Sequence, residues 1–192
     1  MEAIDYNHRY HRIDIGRFHR MIEAGVFGDE DRVELIEGEM LDMSPIGAVH
    51  IGLTAELNML FATHLTERAI VTAQGAVVLD DRTEVYPDLL ILAPRPDFYR
   101  SAKPRPADVA LLIEVSDSSL KHDLHTKVPI YARTQVPRVW IFDLPGRRIH
   151  TFADPDPTNA SYRTTRVLSD GILSITLQDI RIDLDVTDLL RT

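Results

Sequence analysis

Cysteine is absent from this chain, which excludes a disulfide framework, a thiolate metal site and a cysteine nucleophile. Long apolar runs are missing too. The strongest, such as Ala110-Leu111-Leu112-Ile113, is broken by charge within a few positions, far short of the ~18 residues of a membrane span. Lysine is scarce: only Lys103, Lys121 and Lys127 occur, and the other basic residues are arginines. Positive charge is in the minority, with 21 Lys and Arg against 30 Asp and Glu and a net charge of −9. A protein that grips a phosphate backbone usually shows a basic patch, so the balance speaks against a simple electrostatic binder. The segment Met1-Glu2-Ala3-Ile4-Asp5-Tyr6 carries acids and no apolar stretch, so no secretory signal is read there and a cytoplasmic location is expected. What remains is ordinary for a folded protein: 44% hydrophobic and 27% charged residues in 192, close to the globular average. That length suits one domain over 1–192, with 1–13 as an N-terminal extension.

Periodicity supplies the elements. Ile15, Phe18, Met21, Ile22 and Val26 fall near helical spacing, with Asp14 as N-cap and Gly25 as breaker, so Ile13 to Val26 is expected to be a helix. Val33 to Ile36 and Glu39 to Met43 flank Glu37-Gly38 and read as a hairpin. A second helix is expected from His50 to Glu67, with His50, Leu53, Leu57, Leu60, Phe61 and His64 on one face. Val71 to Leu79 and Val85 to Leu92 are strand candidates, the first containing Gly75 and the second Pro87, which argues for an irregularity or an edge. Val109 to Val115 is apolar on both faces and is expected to be central and doubly covered. A helix carrying Leu124, Val128, Ile130 and Tyr131 follows, with Pro129 early in it or kinking it. Strands are then read at Arg138 to Asp143, Arg148 to Phe152, Tyr162 to Leu168, Ile172 to Leu177 and Ile182 to Leu184, and a turn at Asp154-Pro155-Asp156-Pro157. The order implies an α/β or α+β domain with a mixed sheet.

Two acids stand where a strand interior wants none. Asp88 heads the apolar run Leu89-Leu90-Ile91-Leu92, and Glu114 closes Leu111-Leu112-Ile113, the most apolar strand in the chain. A buried carboxylate must be paired or bound to a cation, because burying it alone costs several kcal/mol. No basic residue lies within four positions of Glu114. Two such acids on neighbouring strands would make an oxygen-rich site suited to Mg²⁺ or Mn²⁺. Alternatively, Asp88 caps a turn after Pro87 and Glu114 pairs with a distant arginine. Asp123, Lys127 and Tyr131 recur every four residues on one helical face that the preceding turn can aim back at Glu114. The competing reading is an exposed Asp–Lys pair worth ~0.3–0.5 kcal/mol.

These residues resemble the PD-(D/E)xK nuclease superfamily, and the longer series is similar to its restriction-endonuclease-like Uma-type branch, domain of unknown function 820. The matching pieces are Val33-Glu34-Leu35-Ile36-Glu37-Gly38-Glu39, Met43-Ser44-Pro45 with His50, and Tyr86-Pro87-Asp88-Leu89. They continue through Ile113-Glu114-Val115-Ser116-Asp117-Ser118-Ser119, Asp123, Lys127, Tyr131-Ala132 and Val136 to Asp143. The superfamily places a lysine two residues after the glutamate, where this chain has Ser116. In the Uma-type branch the lysine comes from the following helix, here Lys127, with Lys121 as the fallback.

The resemblance implies a PD-(D/E)xK core with flanking helices and extra C-terminal strands. It implies a divalent metal held by Asp88, Glu114, the Val115 carbonyl and Glu34, and catalysis by Asp88, Glu114, Lys127 and His50. Lys127 would orient or help deprotonate the attacking water. His50 would be a phosphate donor or proton shuttle, or simply a satisfied histidine at the start of a buried helix face. Glu37 and Asp123 are weaker candidates, and His122 and His125 read as surface residues. The expected activity is Mg²⁺- or Mn²⁺-dependent hydrolysis of phosphodiester bonds in DNA, by a homodimer. A nuclease-like module without turnover and a phosphodiesterase for smaller substrates are the alternatives, and the acidic balance favours both. If DNA is the substrate, Arg95, Arg100, Lys103 and Arg105, between the two acid-bearing strands, are the expected backbone contacts.

Overall fold

The computed structural model describes residues 11–28, 30–43 and 46–191. Most of the N-terminal extension, and Ser44 and Pro45 of the matched series, lie outside the described residues. The first helix, α1 (Ile15–Glu23), starts where Asp14 accepts a hydrogen bond from the Arg17 N–H, and buries Phe18. The hairpin β1 (Val33–Ile36) and β2 (Glu39–Asp42) turns at Glu37-Gly38. Gly38 is required there: its φ is +84°, and a Cβ would lie 2.7 Å from the Arg12 side chain and 2.9 Å from the Ile13 carbonyl.

Helix α2 (Ala48–His64) is followed by β3 (Ile70–Ala73), β4 (Val77–Asp80), β5 (Thr83–Val85), β6 (Leu89–Leu92) and β7 (Val109–Ser116). Two of the expected strands are therefore each two strands. Val71 to Leu79 breaks at Gln74, whose φ of 53° is left-handed, and Val85 to Leu92 breaks at Tyr86-Pro87-Asp88. In both cases the halves belong to different sheets. After β7 a continuous helical stretch runs through α3 (Leu120–His122), a wide π-helical turn at Asp123–Lys127, and α4 (Val128–Arg133). Pro129 has no N–H to give to the preceding turn, and the wide turn just before it accommodates that loss. The chain ends with β8 (Arg138–Asp143), β9 (Arg148–Asp156), β10 (Ser161–Leu168), β11 (Ile172–Leu177), β12 (Ile180–Asp185) and α5 (Val186–Leu189). Asp154 to Asp156 continue β9, and the turn comes after them at 157–160.

The main sheet has the order β10-β9-β8-β7-β6-β3, with only β7 and β8 parallel. A second sheet, β2-β1-β5-β4, and the pair β11-β12 pack around it. On one face of the main sheet, Leu89, Ile91, Leu111, Ile113 and Val115 meet Leu53, Leu57 and Phe61 of α2 and the β11-β12 pair. On the other, Leu90, Leu92, Leu112, Val139 and Ile141 meet Tyr131 of α4 and Val77, Leu79 and Val85 of the second sheet. β7 is thus covered on both faces, as its unbroken apolar sequence requires. His64, expected on the buried face of α2, is exposed, whereas Leu60 packs against the core. Among the described residues no helix is long and apolar enough to cross a membrane.

Candidate active site

Register brings the two acids together. β6 and β7 run antiparallel with Leu89 opposite Ile113, so one further step sets Asp88 beside Glu114. Asp88 is fixed by its own backbone and side chain. Its carbonyl accepts from the Gln74 N–H at 3.0 Å, and its Oδ2 accepts from the Val115 N–H at 2.7 Å. Its Oδ1 lies 3.0 Å from His50 Nε2, where the first turn of α2 ends against the strand. His50 Nδ1 is buried without a hydrogen-bond partner among the described residues.

Glu114 points to the face covered by the α3–α4 stretch. Tyr131 donates to its Oε1 at 2.6 Å, and Lys127 Nζ lies 3.3 Å from the same oxygen. Glu34 reaches in from β1 and holds Lys127 with both oxygens, at 3.0 Å and 2.9 Å. Its Oε1 also accepts from the Tyr86 N–H at 2.9 Å. Asp123 stands 3.9 Å from the ammonium and is itself held by the hydroxyls of Ser116 and Ser119 at 2.7 Å and 2.6 Å. The four-residue spacing therefore brings Lys127 and Tyr131 to one carboxylate, Glu114, with Asp123 beside the ammonium, and the exposed-pair reading of Asp123 and Lys127 does not hold: both are buried.

Glu34, His50, Asp88, Glu114, Asp123 and Lys127 line an open cleft of about 310 Å³, together with Val115. Six carboxylates border it (Glu34, Asp42, Asp88, Glu114, Asp117 and Asp123) against the full cations Arg32 and Lys127. That surplus is felt electrostatically. Burial raises the Glu114 pKa to about 8; Lys127 opposes the shift, and Asp123, Asp88 and Glu34 reinforce it. For Lys127, burial disfavours the charge, but Glu114, Glu34 and Asp123 outweigh it and lift the pKa above that of a free lysine. Tyr131 is pushed well up, by burial first and then by Glu114, so its hydroxyl stays a donor.

Among the described residues no three His, Asp or Glu side chains form a metal cage. Mg²⁺ rarely uses one: one or two carboxylates, water and substrate phosphate suffice. Asp88 and Glu114 could supply such a pair, and no hydrogen bond among the described residues falls on Glu114 Oε2. Glu34 is the most heavily engaged of the three acids, with both oxygens on Lys127.

Other expected residues lie elsewhere. Glu37 sits at the hairpin turn and pairs with Arg133 at 2.9 Å. Lys121 and His125 are exposed, while His122 lines the cleft rather than the outer surface. The basic loop is misplaced by topology. β6 leaves Asp88 and β7 returns to Glu114, so residues 93–108 lie at the far end of that pair, roughly 13 Å of strand away. None of Arg95, Arg100, Lys103 or Arg105 lines the cleft. Arg95 pairs with Asp97 and lies over Tyr99, and Arg100 lies over Phe98. Tyr131 lies beside Glu114 as its spacing from Lys127 implies; Arg32 and Asp117 also line the cleft, and neither carries a comparable spacing signal.

The architecture is similar to the crystal structure of a protein from Anabaena variabilis titled a "putative nuclease belonging to DUF820". The TM-score is 0.71 and the sequence identity 14%, with 93% of this chain and 97% of the other covered. At that identity the likeness establishes the restriction-endonuclease-like fold. No curated protein matches the chain. The family Uma2, described as "Putative restriction endonuclease", matches residues 15–187. With that match over nearly its whole length, the chain belongs to the Uma2 family of nuclease-like proteins.

Proposed function

We propose that this protein is a cytoplasmic, homodimeric endonuclease that hydrolyses phosphodiester bonds in DNA with Mg²⁺, or Mn²⁺, in the Asp88–Glu114 cleft. The observation that carries the proposal is the convergence of Asp88, Glu114 and Lys127 at the open end of β6 and β7, where carboxylates outnumber cations. A surplus of hard oxygen donors is the environment a divalent cation completes.

In this reading Asp88, Glu114 and the Val115 carbonyl hold the ion, and Glu34 is a further oxygen donor when Lys127 moves. When bound, Mg²⁺ supplies Lewis-acid polarisation of the phosphate and a lowered pKa for water. The water oxygen forms a bond to phosphorus, one P–O ester bond breaks, and the products are a phosphate monoester and a free hydroxyl. Lys127 keeps its proton, so it acts by donating: it orients the water or offsets phosphate charge rather than serving as a base. Glu34 and Asp123 set the position of that ammonium. Tyr131 fixes one oxygen of Glu114. His50 orients Asp88 from the opposite face, and its buried Nδ1 has no hydrogen-bond partner among the described residues through which to pass a proton.

The test is cleavage of DNA with Mg²⁺ or Mn²⁺ against EDTA, for the wild type and Asp88→Ala. Metal-dependent cleavage by the wild type is expected, with turnover abolished and binding retained in the variant. One observation favours a module without turnover: Lys127 already occupies the space between Glu34 and Glu114. Binding of DNA by the wild type without cleavage under either metal would select that reading.

A further inference from the structure

A second cavity, of about 350 Å³, adjoins the acidic cleft. Arg32, Met43 and Tyr86 border both, so the two share a wall, yet their chemistry differs. Phe27, partly exposed, lines the second and packs against the almost fully buried Phe18, their rings tilted with centroids 5.9 Å apart. Gln74 stands at its rim. The Gln74 N–H is bonded to the Asp88 carbonyl, which ties this cavity to the strand carrying the candidate catalytic acid. Its side-chain amide has no hydrogen bond among the described residues, and it offers both a donor and an acceptor.

We infer that this cavity receives an unpaired nucleobase of the strand whose phosphate lies in the cleft, an inference that rests on the nuclease reading above. The size falls within the range of small-ligand pockets. An aromatic wall such as Phe27 stacks any base through its π-face, and Arg32 stands on the shared border, where a base would give way to its phosphate. A base inside a duplex is stacked and paired, so one that enters must come from single-stranded or locally opened nucleic acid. At a net charge of −9, stacking gives affinity without a basic patch, and the arginine loop is at the far end of the strands.

The experiment uses the whole protein with Ca²⁺ in place of Mg²⁺ and two single-stranded DNA oligonucleotides. One carries 2-aminopurine and the other an abasic position at the same place. Binding should quench the 2-aminopurine fluorescence, and the abasic strand should bind about tenfold more weakly, the usual scale of one stacked base. Phe27→Leu keeps the apolar volume but removes the π-face, and should erase that difference. Phe27→Tyr should preserve it. Equal affinity for the two strands, with DNA cleavage intact under Mg²⁺, would overturn the base cavity and leave the nuclease reading standing. Base discrimination with no cleavage under Mg²⁺ or Mn²⁺ would keep the cavity and remove the nuclease turnover. Failure to bind either strand would overturn the cavity as well.

Discussion

Two places in this molecule bury a carboxylate against a lysine, and they end in opposite states. Around Glu84 of β5, Lys103 Nζ, the Tyr86 hydroxyl and His19 Nε2 all lie within hydrogen-bond distance, the last at 2.6 Å. Burial raises the Glu84 pKa, but Lys103 and His19 overcome it, and the net shift is downward. Around Glu114 the partners are also in place, yet Glu34, Asp88 and Asp123 add negative charge beside one lysine, and burial wins. The first cluster is closed: its charge is compensated, and it ties α1 and the 93–105 loop to the second sheet. The second is left short of positive charge at the mouth of a cleft. A buried ion pair by itself says little about function; the uncompensated remainder is what marks a site.

The largest effect that would separate the two is removal of each lysine. Lys127→Met leaves Glu34, Asp123 and Glu114 buried without their cation. It should cost about 3–5 kcal/mol, the range for breaking one side of a buried pair. Lys103 is partly solvated, and Glu84 keeps His19 and Tyr86, so Lys103→Met should cost about 1 kcal/mol. Urea denaturation near pH 7 measures both, and equal losses would break the comparison.

The second prediction is a difference in sign. Glu84 has a depressed folded pKa, so its contribution to stability is present above the unfolded carboxylate value near 4.5 and is lost as pH falls through the folded value. Glu84→Gln should therefore destabilise at neutral pH, and its effect should fade in acid. Glu114 without metal is raised to about 8, so the stability linked to it is full below about 4.5 and is lost as pH rises through 8. Glu114→Gln should be neutral or stabilising at pH 8 and should flatten the decline between those values. Melting temperatures across pH 4 to 9 decide it. A destabilised Glu114→Gln at pH 8 would mean that its carboxylate is needed as a charged structural partner.

The smallest effect is the answer to a divalent ion. Mg²⁺ at about ten times its dissociation constant stabilises by about 1.4 kcal/mol through mass action, a few degrees in melting temperature. The wild type and Glu84→Gln should both show that rise, and Asp88→Asn should not. A rise retained in Asp88→Asn would move the ion away from the cleft.

The acids were legible because burial makes them conspicuous: Asp88 and Glu114 interrupt runs that otherwise read as core. Lys127 and Tyr131 were legible through helical spacing, which the wide turn at Asp123–Lys127 did not spoil. The strand breaks at Gln74 and at Tyr86 to Asp88 were not, because apolar residues continue on both sides and only the sheet each half joins differs. His64 falls outside the buried face, and because α2 is apolar nearly all round, with Val49, Ile51 and Met59 exposed, periodicity does not mark the edge of that face. The arginine loop lies away from the cleft because the two strands lead to it from the acids, and nearness in sequence to both acids says nothing of strand direction.

By itself the sequence determined the mixed α+β character, the central position of β7 and the identity of the acids that need a partner. Those follow from local pattern and from the cost of burying charge, both properties of short segments. Tertiary structure decided which partner each acid received. Glu34 lies 93 positions from Lys127, and only the packing of the β1 hairpin against the α3–α4 stretch closes that gap. It also decided that the loop arginines lie at the far end of β6 and β7 from the cleft and that a cavity lined by Phe27 lies beside it. Strand direction and sheet packing set such distances, and no short segment encodes them.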